Sequence, residues 1–450
     1  MSRALQEQDL THGPLWKQIL LFSLPLVVSN MLQILFHLAD IAVVGQFAGA
    51  MALGSVGSTA ILASMFVGFF LGLGGGINVQ TARCYGANLT KDLRASVHSA
   101  AIVSLLLGLL VMALGLMFSK PVLVLLKTKP ELLDGAVLYI RIYLLGVPAL
   151  AVFNFGNAVF SAMGDTTRPL RYLIISGVVN VVLNLFFVLV CQLGVAGVAI
   201  ATAVSQYLSA ILIVAALFRD KSDFGLNMSR MRLSKTHTQE ILRLGIPGGL
   251  QNCIFAVANL FIQSGVNTFD AIMVAGSSAA ANADTIVYDV MAAFYTACAS
   301  FMGQNYGARK KDRILKSYFI CTLYAFVAGA GLGLLLILFG ETFLGLFTSD
   351  PAVIEAGMKR LVIMGASYGL SVFMDNTIAA CRALGKSIVP SVIVLMGSCV
   401  FRIIWVKTVF AHFATIPSLY LLYCVSWSLT GIAEVLYFVK IYRSISRSFT

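Results

Sequence analysis

Apolar residues in this chain run on continuously instead of alternating with polar ones, as in 101–118 and 329–339, where no charged side chain interrupts. A membrane β-barrel would alternate apolar and polar positions between frequent turns, so these runs predict helices. Crossing a bilayer as a helix takes roughly 20 apolar residues. Marked off by Gly, Pro and charged residues, the runs give twelve spans, at about 15–43, 53–79, 95–119, 134–159, 169–191, 194–218, 241–266, 274–301, 315–340, 353–378, 388–411 and 416–440. The expected fold class is therefore an all-α polytopic membrane protein.

The pattern also repeats. Ser23-Leu24-Pro25 to Phe47 resembles Gly245-Ile246-Pro247 to Phe269, with Asn30 matched to Asn252 and Leu38 to Leu260, at an offset of 222 residues. Tyr85-Gly86-Ala87 returns as Tyr306-Gly307-Ala308, and Ala162-Met163-Gly164 with Pro169 as Ala383-Leu384-Gly385 with Pro390, at an offset of 221. Matched punctuation in one order predicts two pseudo-symmetric six-helix bundles. The expected boundaries are an N-terminus at 1–14, a first lobe at 15–218, a polar linker at 219–240, a second lobe at 241–440 and a C-terminus at 441–450. An even number of spans per half makes the repeat parallel, as in secondary transporters whose substrate site lies between halves.

Composition narrows the class. Apolar residues make up 59% and charged residues 11% of the 450, against about 25% charged in soluble domains. With a mean hydropathy of +0.90, an ordinary soluble enzyme and a disordered chain are both excluded. The net charge of +12 would suit a polyanion partner if it were spread over the surface. Most of the Lys and Arg instead crowd the N-terminus and the even-numbered loops, as in Arg309-Lys310-Lys311-Asp312-Arg313. By the positive-inside rule this charge reports orientation, with both termini cytoplasmic, and no nucleic-acid partner is implied.

Several chemistries lack their residues. The 8 cysteines stand singly without CxxC or zinc spacing, and no small-residue cleavage pattern follows a short apolar run near the N-terminus. No GxxxxGK[ST] phosphate loop occurs, and no Ser/His pairing or paired catalytic carboxylates point to an enzyme. No metal site is indicated beyond a Na+ at one of the buried acids, and no cofactor is implied. Gly68, Gly72 and Gly76 form an i, i+4 stripe that lets a second helix approach closely; Gly245/Gly249 and Gly329/Gly333 read the same way. Transport would have to be driven by an ion gradient.

Ionisable residues at membrane depth are then the informative ones, since a charge there is costly and normally faces a cavity or a partner. Asp40 stands late in the first span, and Asp375 late in the tenth. Asp284 and Asp289 lie in the eighth, Glu434 in the twelfth, and Arg141 and Arg402 are the buried-looking cations. Polar side chains recur at helical spacing: Asn154 with Asn157, Asn180 with Asn184, and Thr202 with Gln206. Converging around Asp40, they would form a hydrogen-bonding chamber in which desolvation disfavours the anion and lets the carboxyl exchange a proton. Equally, each Asn could simply bond a neighbouring helix.

These segments carry a resemblance. Pro25 through Gly45 with Leu38-Ala39-Asp40, Ala82-Arg83-Cys84-Tyr85-Gly86-Ala87, Ala162-Met163-Gly164-Asp165-Thr166-Thr167-Arg168-Pro169, Gly303-Gln304-Asn305-Tyr306-Gly307-Ala308 and Asp375 with Arg382-Ala383-Leu384-Gly385 resemble the multidrug and toxic compound extrusion (MATE) family, in the bacterial branches found in Firmicutes. The likeness spans about Leu15 to Tyr442. It implies a V-shaped pair of bundles in the bacterial cytoplasmic membrane, monomeric in the lipid bilayer. Such a carrier exports amphipathic, often cationic, small molecules by alternating access against H+ or Na+. It also implies that Asp40 is the main coupling carboxylate, with Asn180 and Thr202 matching its polar surroundings. Asn184 stands where some members have a second acid, which favours H+ over tight Na+ binding. Asp375 matches a tenth-helix acid, but the seventh-helix partner position is Phe255, leaving Asp284 or Asp289 as substitutes. A lipid-linked precursor flippase of the same superfamily is the alternative.

Overall fold

The structure is a computed structural model that describes residues 9–449, so most of the expected N-terminus at 1–14 and Thr450 lie outside the described residues. Twelve helices are long and apolar enough to cross a membrane. They are α1 (Leu15–Ala48), α2 (Ala50–Gly86), α3 (Thr90–Leu125), α4 (Pro130–Ala162), α5 (Thr167–Val190), α6 (Gly194–Arg219), α7 (Lys235–Val266), α8 (Ala271–Gly307), α9 (Lys311–Leu344), α10 (Pro351–Ala383), α11 (Ile388–Phe413) and α12 (Ile416–Ser448). Helix α7 starts six residues earlier than the sequence spacing suggested, within the basic stretch.

Among the described residues the chain forms two compact units, one of Val28–Gly249 and the other of Leu10–Val27 with 250–449. Both divisions fall inside a helix, two residues after Pro25 in α1 and two residues after Pro247 in α7. The prolines and the divisions share the offset of 222. A helix-interior proline removes one backbone hydrogen bond and crowds the preceding turn, so each division sits beside a local weak point.

In the first unit α4 is the central helix, packed by α2, α3 and α6. Its buried face includes Leu144, Val147, Phe155, Val159 and Phe160. The opening turns of α7 belong to this unit and lie backbone-to-backbone on α2. A Cβ on Gly72 would come within 2.3 Å of the Gly249 nitrogen, and one on Gly76 within 2.4 Å of the Gly245 nitrogen. The two glycine stripes read from the sequence are thus each other's partners.

The second unit has α10 at its centre, packed by α8, α9 and α12. Gly333 of α9 takes part in the close approach here, since its Cβ would meet the Gly365 carbonyl at 2.1 Å. The segment before α1 is held by the start of α9 and the end of α8. Gln304 Oε1 accepts from the Leu10 amide at 3.0 Å. Arg313 donates to the carbonyls of Leu10, His12 and Gly13, and Lys310 Nζ to that of Thr11 at 2.8 Å. Phe22 meets Phe301 edge-on at 5.5 Å.

The internal repeat extends to single hydrogen bonds. After α2, Asn88 is left-handed (φ 55) and amides 87, 88 and 89 bond carbonyls 83, 85 and 84; after α8, Arg309 is left-handed (φ 55) and amides 308, 309 and 310 bond carbonyls 304, 306 and 305. Gly164 and Gly385, at φ 84 and 81, end α4 and α10 in the same way. Glycine suits such a position because it lacks the Cβ that penalises positive φ.

Candidate functional site

Asp40 is placed by close contact between α1 and α5. Gly177 of α5 has no side chain, and a Cβ there would stand 1.9 Å from the Phe36 ring of α1. Phe36 lies one turn before Asp40, while Asn180 and Asn184 follow Gly177 on the same face of α5. This face therefore runs alongside Asp40, and Asn184 Nδ2 donates to Asp40 Oδ1. The same amide reaches Asn180 Oδ1 at 3.2 Å. Asn184 is fully buried, with an exposure of 0%. The Thr202 side chain of α6 is a second polar neighbour of Asp40, and its hydroxyl donates to the Val198 carbonyl at 3.0 Å. Tyr139 of α4 is close enough to feel the Asp40 charge. Among the described residues Asp40 has no ion pair.

Three of the expected chamber residues, Asn180, Asn184 and Thr202, thus meet at Asp40. Asn154 does not join them: its amide turns back to the Leu150 carbonyl of its own helix at 2.9 Å. Asn157 is half-buried and makes no side-chain hydrogen bond among the described residues. Tyr139, stacked on Tyr143 at 6.2 Å, is a member the sequence did not single out. Its spacing is indistinguishable from that of a core tyrosine.

At the linker end of the first unit, Arg168 sits between two carboxylates, 2.7 Å from Asp165 Oδ2 and 2.7 Å from Asp220 Oδ2. Asp165 also caps α5, accepting from the Thr167 and Arg168 amides at 3.0 and 3.1 Å. Burial pushes the Asp165 carboxyl above its ordinary range, outweighing those bonds. Burial works against the Asp220 charge too, but hydrogen bonds from Ser222 and Arg168 hold it below the ordinary range.

The acids of the second unit have different company. Asp284 is bonded by Arg360 Nη2 and by the Tyr368 hydroxyl. Arg360 is 7% exposed; it also donates to the Ser277 carbonyl at 3.0 Å and lies 5.1 Å over the Tyr420 ring. Asp289 is half-buried elsewhere on α8, so of the two acids it is Asp284 that faces α10. Asp375 is half-buried between the charges of Arg402 and Arg382. Arg402 donates to Ser426 Oγ at 3.0 Å and is ringed by Tyr423 at 4.4 Å, Trp427 at 5.7 Å and Phe255 at 5.8 Å. Phe255, standing where an acid was sought, is thus a wall of this aromatic box.

One cation differs from its sequence reading. Arg141, read as buried-looking, is exposed on the chain's surface and bonds Ser119 Oγ at 3.3 Å. Arg360, which the sequence did not single out, is buried because Asp284 and Ser277 draw it between α8 and α10. No group of three or more His, Cys, Asp or Glu able to hold a metal occurs among the described residues.

Comparison with known proteins agrees with this architecture. The chain is 28% identical over 395 residues to the "Probable multidrug resistance protein YpnP" of Bacillus subtilis (strain 168), covering 86% of this chain and 88% of that one. It is 24% identical over 369 residues to the "FAD transporter" of Shewanella oneidensis, covering 80% of each. A solved structure of an outward-facing multidrug resistance MATE family transporter has the same fold, with a TM-score of 0.91 at 22% identity over 99% of both chains. The MatE family model matches twice, over residues 25–186 and 247–406, at the spacing of the internal repeat, and the chain belongs to that family, as a multi-pass membrane protein.

Proposed function

We propose that this protein is a secondary active exporter of amphipathic, often cationic compounds, driven by H+ entry through Asp40. The observation that carries the reading is the neutrality of the Asp40 surroundings. Its hydrogen-bond donor is the Asn184 amide and its other polar neighbour the Thr202 hydroxyl, with no cation paired to it among the described residues. An acid bound by neutral donors changes charge without stranding a buried counter-ion. A hydrogen bond to the charged form is worth about 1.5–3 kcal/mol, so the Asn184 and Thr202 contacts loosen when Asp40 is protonated. That loosening is the signal passed to α5 and α6.

Names of relatives support the substrate class, since YpnP is described as a multidrug resistance protein. The carrier works by alternating access as a monomer in the bacterial cytoplasmic membrane, with both termini on the cytoplasmic side where basic residues concentrate. One charge moving through 100 mV supplies about 2.3 kcal/mol, roughly a fiftyfold concentration ratio. Asn180, Asn184 and Thr202 position the acid, while Asn154 turns to its own helix.

The buried arginines favour a second reading, export of an anionic amphipath such as a lipid-linked precursor or a dinucleotide. Arg360, Arg382 and Arg402 all lie in the second unit, but Asp284 bonds Arg360 and the Asp375 charge acts on Arg382 and Arg402, which offsets most of their charge. The cationic reading therefore ranks first.

The deciding experiment is export of ethidium from liposomes holding purified protein, with a pH gradient and a Na+ gradient imposed separately. Export driven by the pH gradient and abolished by Asp40→Asn is expected. Export driven by Na+ alone would replace H+ as the coupling ion, and no export under either gradient would move the anionic reading to first place.

A further inference from the structure

The second unit contains a carboxyl that the Asp40 scheme does not use. Glu434 of α12 has an exposure of 0%. Both its oxygens are buried with no hydrogen-bond partner among the described residues. An ionised carboxylate offers acceptor sites to about four hydrogen bonds, and burying one with none filled costs several kcal/mol.

The neighbours decide how that cost is avoided. From α10 it faces Arg382, Asp375 and Cys381, and on its own helix Tyr437. Helix α9 contributes Tyr318, whose hydroxyl is engaged with Thr377 at 2.9 Å. From α11, Arg402 acts on Asp375 and is held by Ser426; from α8, Tyr288 lies near Asp375 and Arg382. The cation whose charge acts on Glu434 is Arg382, yet its guanidinium makes no ion pair with Glu434. Arg382 Nη2 donates instead to Gln251 Oε1 of α7 at 3.0 Å, and its Nε is buried without a partner. A facing guanidinium also argues against a metal cation in the same space.

We infer that Glu434 is a second proton-binding site of this protein, protonated in the structure described, and that Arg382 is the switch it controls. Release breaks the O–H bond, sends the proton to solvent and leaves a carboxylate opposite the unfilled Nε of Arg382. The new ion pair, net neutral, draws Arg382 from Gln251, which sits two residues beyond the division in α7. Uptake of a proton restores the Arg382–Gln251 bond. The inference deepens the proton-coupled reading by adding a titrating group in the other unit, but its test does not depend on transport.

Infrared spectroscopy of purified full-length protein, unlabelled and with 13C-glutamate, reads this group directly. Among the described glutamates Glu131, Glu341 and Glu355 are exposed and Glu240 is half-buried, so Glu434→Gln is the variant that assigns the band. The expected result is a carboxylic-acid C=O band at neutral pH that shifts with 13C-glutamate, disappears in alkali and is absent from Glu434→Gln. No glutamate-derived acid band at neutral pH, or one that survives Glu434→Gln, overturns the inference. If Glu434→Gln does not fold, the labelled wild-type spectrum still decides it, since an absent band refutes a protonated Glu434. Failure of proton-driven ethidium export would sink the Asp40 scheme and leave this band unaffected.

Discussion

Asp40 of the first unit and Asp284 and Asp375 of the second are embedded by opposite means. Asp40 is held by neutral donors, whereas Asp284 is held by a guanidinium and a phenol, and Asp375 lies between two guanidinium charges. A buried ion pair resists change: neutralising one member leaves the other desolvated and alone. An acid among amides can gain or lose its proton with a modest adjustment of hydrogen bonds. The difference suits Asp40 to the coupling role proposed for it and Asp284 to holding α8 against α10.

Breaking the comparison begins at its extreme. Asp40→Asn is expected to fold with an unfolding temperature near that of wild type and to lose export driven by a pH gradient down to background, as read in liposomes. Loss of fold instead would make Asp40 a structural group like Asp284. Arg360→Leu is expected to do the reverse, destabilising the protein by about 3–5 kcal/mol through the stranded Asp284 charge. In detergent unfolding, the double change Arg360→Leu with Asp284→Leu should recover most of that loss.

Smaller effects sharpen the contrast. Asn184→Ala removes a bond to a charged group, worth about 1.5–3 kcal/mol. Because that bond favours the anion, its loss should move the pH dependence of export to higher pH. An unchanged profile would remove Asn184 from the switch. The smallest effect concerns the two partners of Arg168. Asp165 is pushed up by burial, so on acidification it takes up its proton first, and the penalty of its buried charge is relieved. Asp220 is held low, so the stability it contributes persists to more acid pH and is lost only as pH falls through its lowered value. Unfolding temperatures followed to acid pH should therefore show Asp165→Asn losing its advantage over wild type at higher pH than Asp220→Asn loses its deficit.

What could be read from the sequence was local. The repeat was visible because Tyr85-Gly86-Ala87 and Ala162-Met163-Gly164 mark helix ends whose backbone needs are met within a few residues, and such needs survive in both halves. Asn180 and Asn184 were legible as one face because four residues make about one helical turn. Asn154 satisfied the same spacing and turned to its own backbone, since spacing sets a face but not what lies across from it. The Arg360–Asp284 pair joins residues 76 apart, and only the register between α8 and α10 brings them together. Glu434 was visible as an acid in an apolar span, whereas its lack of partners depends on every helix around it.

The division beside Pro25 and Pro247 also bears on how the molecule is made. Leu10–Val27 leave the ribosome before Val28–Gly249, yet the unit they complete resumes only at Leu250. At about 5–20 residues per second, those opening turns wait on the order of tens of seconds for Gln304, Lys310 and Arg313, which hold Leu10, Thr11 and Gly13. During synthesis the opening of the first helix is therefore a guest without its host, and the last bonds the protein makes include those of Leu10 and Thr11.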